Sequence, residues 1–245
     1  VGIGEIDKSV YALGVPMMYA SDEEVYAVLE KMRPRLEASL DQKGFVVLNW
    51  ADGGWVHFFS QKPVATPDDL RAMKLFTWQG DNDALEIYRS IGMNPVPLPS
   101  TEISTALQTG LVSALGVPPQ VAVISQYFLN AKNMTDLKWL LLLGGTVVSK
   151  STWEKIPADV RPALRQAAED AGRKLREQMR GSAERDIESM KKRGLSVVPV
   201  DAKARAAWLS LAESVYPKVR GKIVPADAFD EALRQRDAYR KAGSH

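Results

Sequence analysis

The chain is 245 residues long, 45% hydrophobic and 25% charged, the balance of a globular protein with a real core, arranged as one large domain or two modest lobes. Thirty-two basic residues against 30 acidic ones leave a formal charge of +2, so nothing advertises a phosphate backbone, and nucleic acid is not expected as a partner. The absence of cysteine excludes disulfides, thiolate metal sites and a thiol nucleophile, and is compatible with an oxidising compartment. No apolar run approaches the roughly 20 residues that span a bilayer, the longest candidate being Trp139–Leu143, so a membrane-spanning chain is not expected. The first residues, Val1-Gly2-Ile3-Gly4, hold no charged leader and read as a mature or truncated end.

In chain order, Val25, Leu29, Met32 and Leu36 recur at helical spacing after Ser21-Asp22-Glu23-Glu24, with Ser21 as cap, Glu24 completing a capping box and an end near Gly44. Phe45–Trp50 and Trp55–Phe59 are β-rich and read as two strands joined by a turn at Ala51-Asp52-Gly53-Gly54. Pro63 and Pro67 break the pattern, and Asp68-Asp69-Leu70 starts a short turn. Met73–Trp78 then reads as a strand, followed by a helix through Leu85, Tyr88 and Ile91 that Asp81 or Asn82 caps and Gly92 ends. Strand and helix signals alternate in this way to the apolar Trp139–Val148 region, which predicts a mostly parallel α/β architecture. No repeat or low-complexity segment interrupts it.

From about Asp159 to Arg193 the apolar positions Val160, Leu164, Ala168, Ala171, Leu175, Met179, Ala183, Ile187 and Met190 step by three or four. A helix of that length measures roughly 50 Å at 1.5 Å per residue, more than one small lobe covers, and is expected to bridge two lobes. A coiled-coil or bundle helix is the alternative. Gly194 is placed to end it, and Leu195–Val200 offers a strand.

Several segments together resemble one family. They are Val15-Pro16-Met17-Met18-Tyr19 with Ser21-Asp22-Glu23-Glu24, Ser60-Gln61-Lys62-Pro63 with Pro67-Asp68-Asp69-Leu70, and Gly92-Met93-Asn94-Pro95-Val96-Pro97-Leu98. Glu102 to Gly110, reading Glu-Ile-Ser-Thr-Ala-Leu-Gln-Thr-Gly, and Val148-Ser149-Lys150-Ser151-Thr152-Trp153 before the long helix complete the series. In this order and spacing the chain resembles the DctP-type substrate-binding proteins of tripartite ATP-independent periplasmic (TRAP) transporters over nearly its whole length.

The resemblance implies an α/β fold of two lobes forming a clamp, a long shared helix, and closure on a small ligand in the cleft. It implies a periplasmic protein that performs no chemistry, needs no cofactor, and has as partners a small-molecule ligand and the TRAP membrane permease subunits. Oligomeric state is left open. On this reading lobe I comprises residues 1–62 and 146–185, short of its N-terminal portion, and lobe II comprises 63–145 and 186–245.

Two departures from the family pattern shape the expected site. The family's arginine, which forks the ligand carboxylate from the strand after the Pro-x-Asp-Leu turn, is replaced by Phe76, and its asparagine ahead of a proline is replaced by Val117 before Pro118. The expected pocket is therefore apolar, lined by Phe76, Val117 and Pro118, with Trp78 on Phe76's strand face and Gln120 as a polar contact. Trp50, Trp55 and Phe58 crowd the same region as ligand contacts or as core, and Lys62 stands where some members place a second basic contact, or is a solvated loop charge.

The ligand expected is apolar or amphipathic. The alternatives are an ordinary organic-acid binder using Lys62 or another base, or a non-binding interaction subunit. His57 and His245 have no neighbouring metal or nucleophile signature, and Gly144-Gly145 is too short to cradle a phosphate. The Lys191-Lys192-Arg193 run suits a helix C-terminus.

Overall fold

The computed structural model describes residues 2–243, so Val1 and His245 lie outside the described residues. The chain forms α1 (Ile3–Ile6), a 3-10 segment (Lys8–Gly14), α2 (Asp22–Gln42), β1 (Phe45–Trp55), β2 (His57–Ser60), α3 (Pro67–Arg71), β3 (Lys74–Trp78), α4 (Asn82–Ser90) and β4 (Asn94–Leu98). There follow α5 (Ile103–Thr109), β5 (Ala114–Val117), α6 (Pro119–Ile124), β6 (Asn133–Thr135), β7 (Leu141–Ser149), α7 (Lys150–Lys155), α8 (Arg161–Lys191), β8 (Ser196–Val198), α9 (Ala202–Lys222) and α10 (Ala226–Ala242). These divide into two compact units, one of residues 1–54, 140–181 and 219–245, the other of 55–139 and 182–218.

In the first unit, α2 starts where expected: the Ser21 hydroxyl accepts from the Glu24 amide at 3.3 Å, and the Glu24 carboxylate accepts from the Ala20 amide rather than from Ser21 itself. The face Val25, Val28, Leu29, Met32, Leu36 and Leu40 is wholly buried. Gly44, with φ +85°, takes the left-handed conformation that stops the helix. The turn expected at Ala51–Gly54 is not there. β1 runs through those residues because they pair with β7, with Gly53 packed beside Leu142 and the Lys150 amide bonded to the Gly44 carbonyl at the other end. Residues of α8 serve β1: Arg165 and Arg176 donate to the carbonyls of Val47 and Trp50, and the Asn49 amide donates to the Ala168 carbonyl. Gly172 lets the helix approach, since a Cβ there would lie 3.0 Å from that of Asn49.

The C-terminal segment, expected with the second lobe, belongs to the first unit. α10 packs on α2, where Arg35 donates to Asp227 and Glu231, and Arg240 to Glu24. The other divisions fall at 54/55, 139/140 and 181/182, some four to eight residues before those expected at 62/63, 145/146 and 185/186.

The second unit is built on a six-stranded sheet of order β4-β3-β5-β2-β6-β8. β3 is parallel to β4 and β5, and β6 to β8, but β2 runs antiparallel to both β5 and β6, so the sheet is mixed. Its two faces are separated by alternation. One carries Phe59, Phe76, Leu115 and Val117 into a cluster with Ile103, Leu107, Phe128 and Met190. The other carries Phe58, stacked on Trp208 at 5.5 Å and tilted against Trp139 at 5.4 Å.

α8 spans 31 residues, as its periodicity predicts, with residues 161–181 in the first unit and 182–191 in the second. Its apolar stripe is less buried than expected: Val160, Leu164 and Leu175 are each at least 40% exposed, whereas Met190 is wholly enclosed. The lysine-arginine run at its end is engaged within the second unit, Lys191 with Glu188 and Arg193 over the Phe128 ring.

Candidate functional site

In parallel α/β sheets the carboxyl ends of the strands are the usual place for a ligand, because the loops there are free to vary while the strands hold them in register. In the second unit the register can be followed across that edge. Trp78 pairs with Leu98, and Leu75 with Ala114, so continuing the β3–β5 register sets Trp78 level with Val117. Val117 pairs in turn with His57 at the start of antiparallel β2. One row, Leu98, Trp78, Val117 and His57, therefore crosses the end of the sheet.

The sequence-derived candidates separate along this edge. Phe76, Trp78 and Val117 come together on one face: Phe76 and Val117 are each 5% exposed and belong to the core cluster, while Trp78 is 46% exposed and meets Phe76 edge-on with centroids 5.1 Å apart. Pro118 is buried, and its carbonyl accepts from the Ala122 amide to start α6, on which Gln120 stands half-buried. Phe58 is on the opposite face, in the Trp139–Trp208 cluster, where it is core. Trp55 is buried beneath the Lys138 ammonium, 5.2 Å from the ring centroid. Trp50 belongs to the first unit and is anchored by its indole donating to Glu37 at 3.0 Å. Lys62 lies exposed on the loop after β2, its carbonyl accepting from the Ser60 hydroxyl.

His57 is buried, and its Nδ1 lies 3.2 Å from the Thr135 carbonyl, which requires that nitrogen to carry the proton. Burial holds its pKa below 6.5, partly opposed by that hydrogen bond and by Asp136. It is a neutral core imidazole. Among the described residues no three histidine or carboxylate side chains group as metal ligands, and no helix is long and apolar enough to cross a membrane.

Two features had no sequence signal. On the Phe58 face of the sheet, the Thr77 hydroxyl is buried without a hydrogen-bond partner, while the Trp139 indole faces the Tyr88 hydroxyl. A surface groove of about 860 Å³ lies between the Ala65–Arg71 segment and the Pro199–Ser214 stretch of the second unit, and none of the expected site residues line it.

Residues 1–222 match the family model described as bacterial extracellular solute-binding protein, family 7. The 2,3-diketo-L-gulonate-binding periplasmic protein YiaO of Escherichia coli is 30% identical over 199 residues, 78% of this chain and 59% of the relative. The C4-dicarboxylate-binding periplasmic protein DctP of Rhodobacter capsulatus is 25% identical over 223 residues, 90% of this chain and 66% of that one. The chain thus spans about 60% of the E. coli relative's length. Among solved structures, the TRAP periplasmic solute-binding protein of Ralstonia eutropha with bound (S)-2-acetolactate superposes with a TM-score of 0.87 at 21% identity, over 96% of this chain and 76% of that one. The Chromohalobacter salexigens protein with bound D-glucuronate gives 0.85 at 22%, over 96% and 77%. The fold is that of the two-lobed TRAP binding proteins, and the chain belongs to the DctP family of bacterial extracellular solute-binding proteins.

Proposed function

We propose that the protein is the periplasmic solute-capturing component of a TRAP transporter, that it binds a small amphipathic solute at the carboxyl edge of the second unit's sheet, and that it delivers this solute to the membrane permease. The observation carrying this reading is the half-exposed Trp78 ring set against buried Phe76 and level with Val117. The β3 strand Lys-Leu-Phe-Thr-Trp holds no guanidinium to fork a carboxylate, whereas an exposed indole offers an apolar face to the hydrocarbon side of a solute. Family membership and the YiaO likeness support the transport role.

A second reading, an ordinary organic acid as solute, is favoured by the acids that relatives carry or are named for, among them D-glucuronate, L-gulonate and C4-dicarboxylates. Lys62 is its basic candidate. Calorimetry with D-glucuronate, L-gulonate, succinate, glucose and octanoate separates the two. Preference for a solute with an extended apolar face, weakened by Trp78→Ala, supports the first reading. Tight succinate binding that depends on Lys62 and ignores Trp78 overturns it.

A further inference from the structure

We infer that His57 sets the specificity of the solute site, its Nε2 atom accepting a hydrogen bond from a solute hydroxyl while Trp78 takes the solute's apolar part; this rests on the solute-binding reading above.

The ladder puts these two residues on one face and at one level. His57 pairs directly with Val117, and paired residues of neighbouring strands point to the same side of a sheet. Val117 belongs to the Phe76 cluster, as does Phe59, two positions along β2 from His57. The imidazole therefore stands on the face of Phe76 and Trp78, not on that of Phe58. Trp78 and His57 flank Val117, two strand spacings apart, or roughly 10 Å between backbones, a span that one small solute covers.

The hydrogen bond to Thr135 decides what the ring offers. With the proton on Nδ1 and donated to that carbonyl, Nε2 carries a lone pair and accepts. The two ring nitrogens face away from each other, so Nε2 turns away from β6. Among the described residues nothing donates to it, and although His57 is only 7% exposed this nitrogen is not sealed from solvent. Burial is the main reason the ring stays neutral at about pH 7.5, with Asp136 favouring the cation and Lys138 opposing it.

A hydroxyl meets these requirements and a carboxylate does not. The O–H donates to the lone pair, whereas an ionised carboxylate has no proton to give and sets negative charge against it. The β2–β6 register, continued from the Phe59–Met134 pair, sets exposed Asp136 level with His57, which adds repulsion of an anion at this end of the row. Lys138 offsets part of it, but its ammonium is engaged over the Trp55 ring. The solute class is therefore an alcohol or polyol with an apolar part.

The test adds 1-octanol to the five solutes above, because it shares its chain with octanoate and differs in offering a donor. Calorimetry at neutral pH on the wild type, His57→Phe, His57→Gln and Trp78→Ala is joined to the imidazole nitrogen resonances of the wild type, in which His57 and His245 are the only histidines. The expected result is about tenfold weaker 1-octanol binding in His57→Phe with octanoate little changed, retention in His57→Gln, whose side-chain oxygen still accepts, and weaker binding of both in Trp78→Ala. The Nε2 resonance of His57, assigned by its loss in His57→Gln, is expected to shift with 1-octanol and not with octanoate. Binding that depends on Trp78 but is indifferent to His57→Phe, with a static Nε2 resonance, overturns the inference and leaves the solute-binding reading standing. Failure of all six solutes to bind the wild type defeats that reading for them, and the inference with it. If His57→Phe does not fold, the wild-type resonance still decides.

Discussion

The Phe76 ring meets that of Trp78 edge-on, their planes at 76°, with one ring buried in the second unit's core and the other half in water. This relationship ties Phe76 to the stability of the second unit as well as to the proposed binding edge. Phe76 packs with Phe59, Leu115 and Val117, so a guanidinium placed there enters an apolar cluster with no carboxylate among its members. Phe76→Arg is expected to cost about 3–5 kcal/mol in urea unfolding, from lost packing and an unpaired buried charge. The same variant should lose affinity for an amphipathic solute, and any gain in carboxylate binding is checked by calorimetry on whatever fraction remains folded.

A second expectation concerns the first unit, where the Tyr26 hydroxyl donates to Asp52 at 2.6 Å. Burial, and then the adjoining carboxylate, push this phenol's pKa strongly upward, so it remains a donor at every accessible pH. Arg176 and Arg180 lie over its ring at 4.9 and 5.6 Å. Tyr26→Phe keeps the ring and these cation contacts but leaves a buried carboxylate oxygen without its donor. It should cost about 1.5–3 kcal/mol, measured as a fall in the urea midpoint at constant slope.

How much of this was legible in the sequence depends on the range of the interactions involved. Caps and periodicities are local, and so Ser21, Asp81 and the 31-residue α8 were read close to where they stand. The Ala51-Asp52-Gly53-Gly54 segment has the composition of a turn, but pairing with a strand nearly a hundred residues away holds it extended. The position of α10 rests on Arg35 and Arg240 meeting carboxylates at the far end of the chain, which no window of sequence reveals. At the candidate site, Phe76 followed from the family resemblance and Trp78 from strand alternation, whereas the unpartnered Thr77 hydroxyl arises only from the packing of separate elements.

A pH dependence is expected from His57. Its folded pKa is depressed by burial, so below about 6.5 the unfolded chain takes up a proton that the folded chain refuses. The contribution of the neutral imidazole is complete above 6.5 and is lost progressively as pH falls from there through the folded value. Thermal unfolding between pH 8 and pH 5 should show the midpoint declining over the lower half of that range, and His57→Gln should flatten the part of the decline above pH 5.5. An identical slope in the variant would show that other groups carry it.

The attachment of α10 gives the last expectation. The Glu24 side chain is only 3% exposed and receives hydrogen bonds from Arg240, which also donates to the Met18 carbonyl, while Arg240 itself is 47% exposed. Because one partner is wet, the pair is screened on one side, and the cost of breaking it lies mainly in the buried carboxylate left behind. Arg240→Met should therefore destabilise by about 1–2 kcal/mol, and Glu24→Gln by a similar amount. If the cost is that of an uncompensated charge, the double variant should be more stable than the sum of the two losses by about 1 kcal/mol in a double-mutant cycle. Simple additivity would mean that α10 is held by its apolar contacts, Phe229 and Ala232 among them, and that the ion pair contributes nothing of its own.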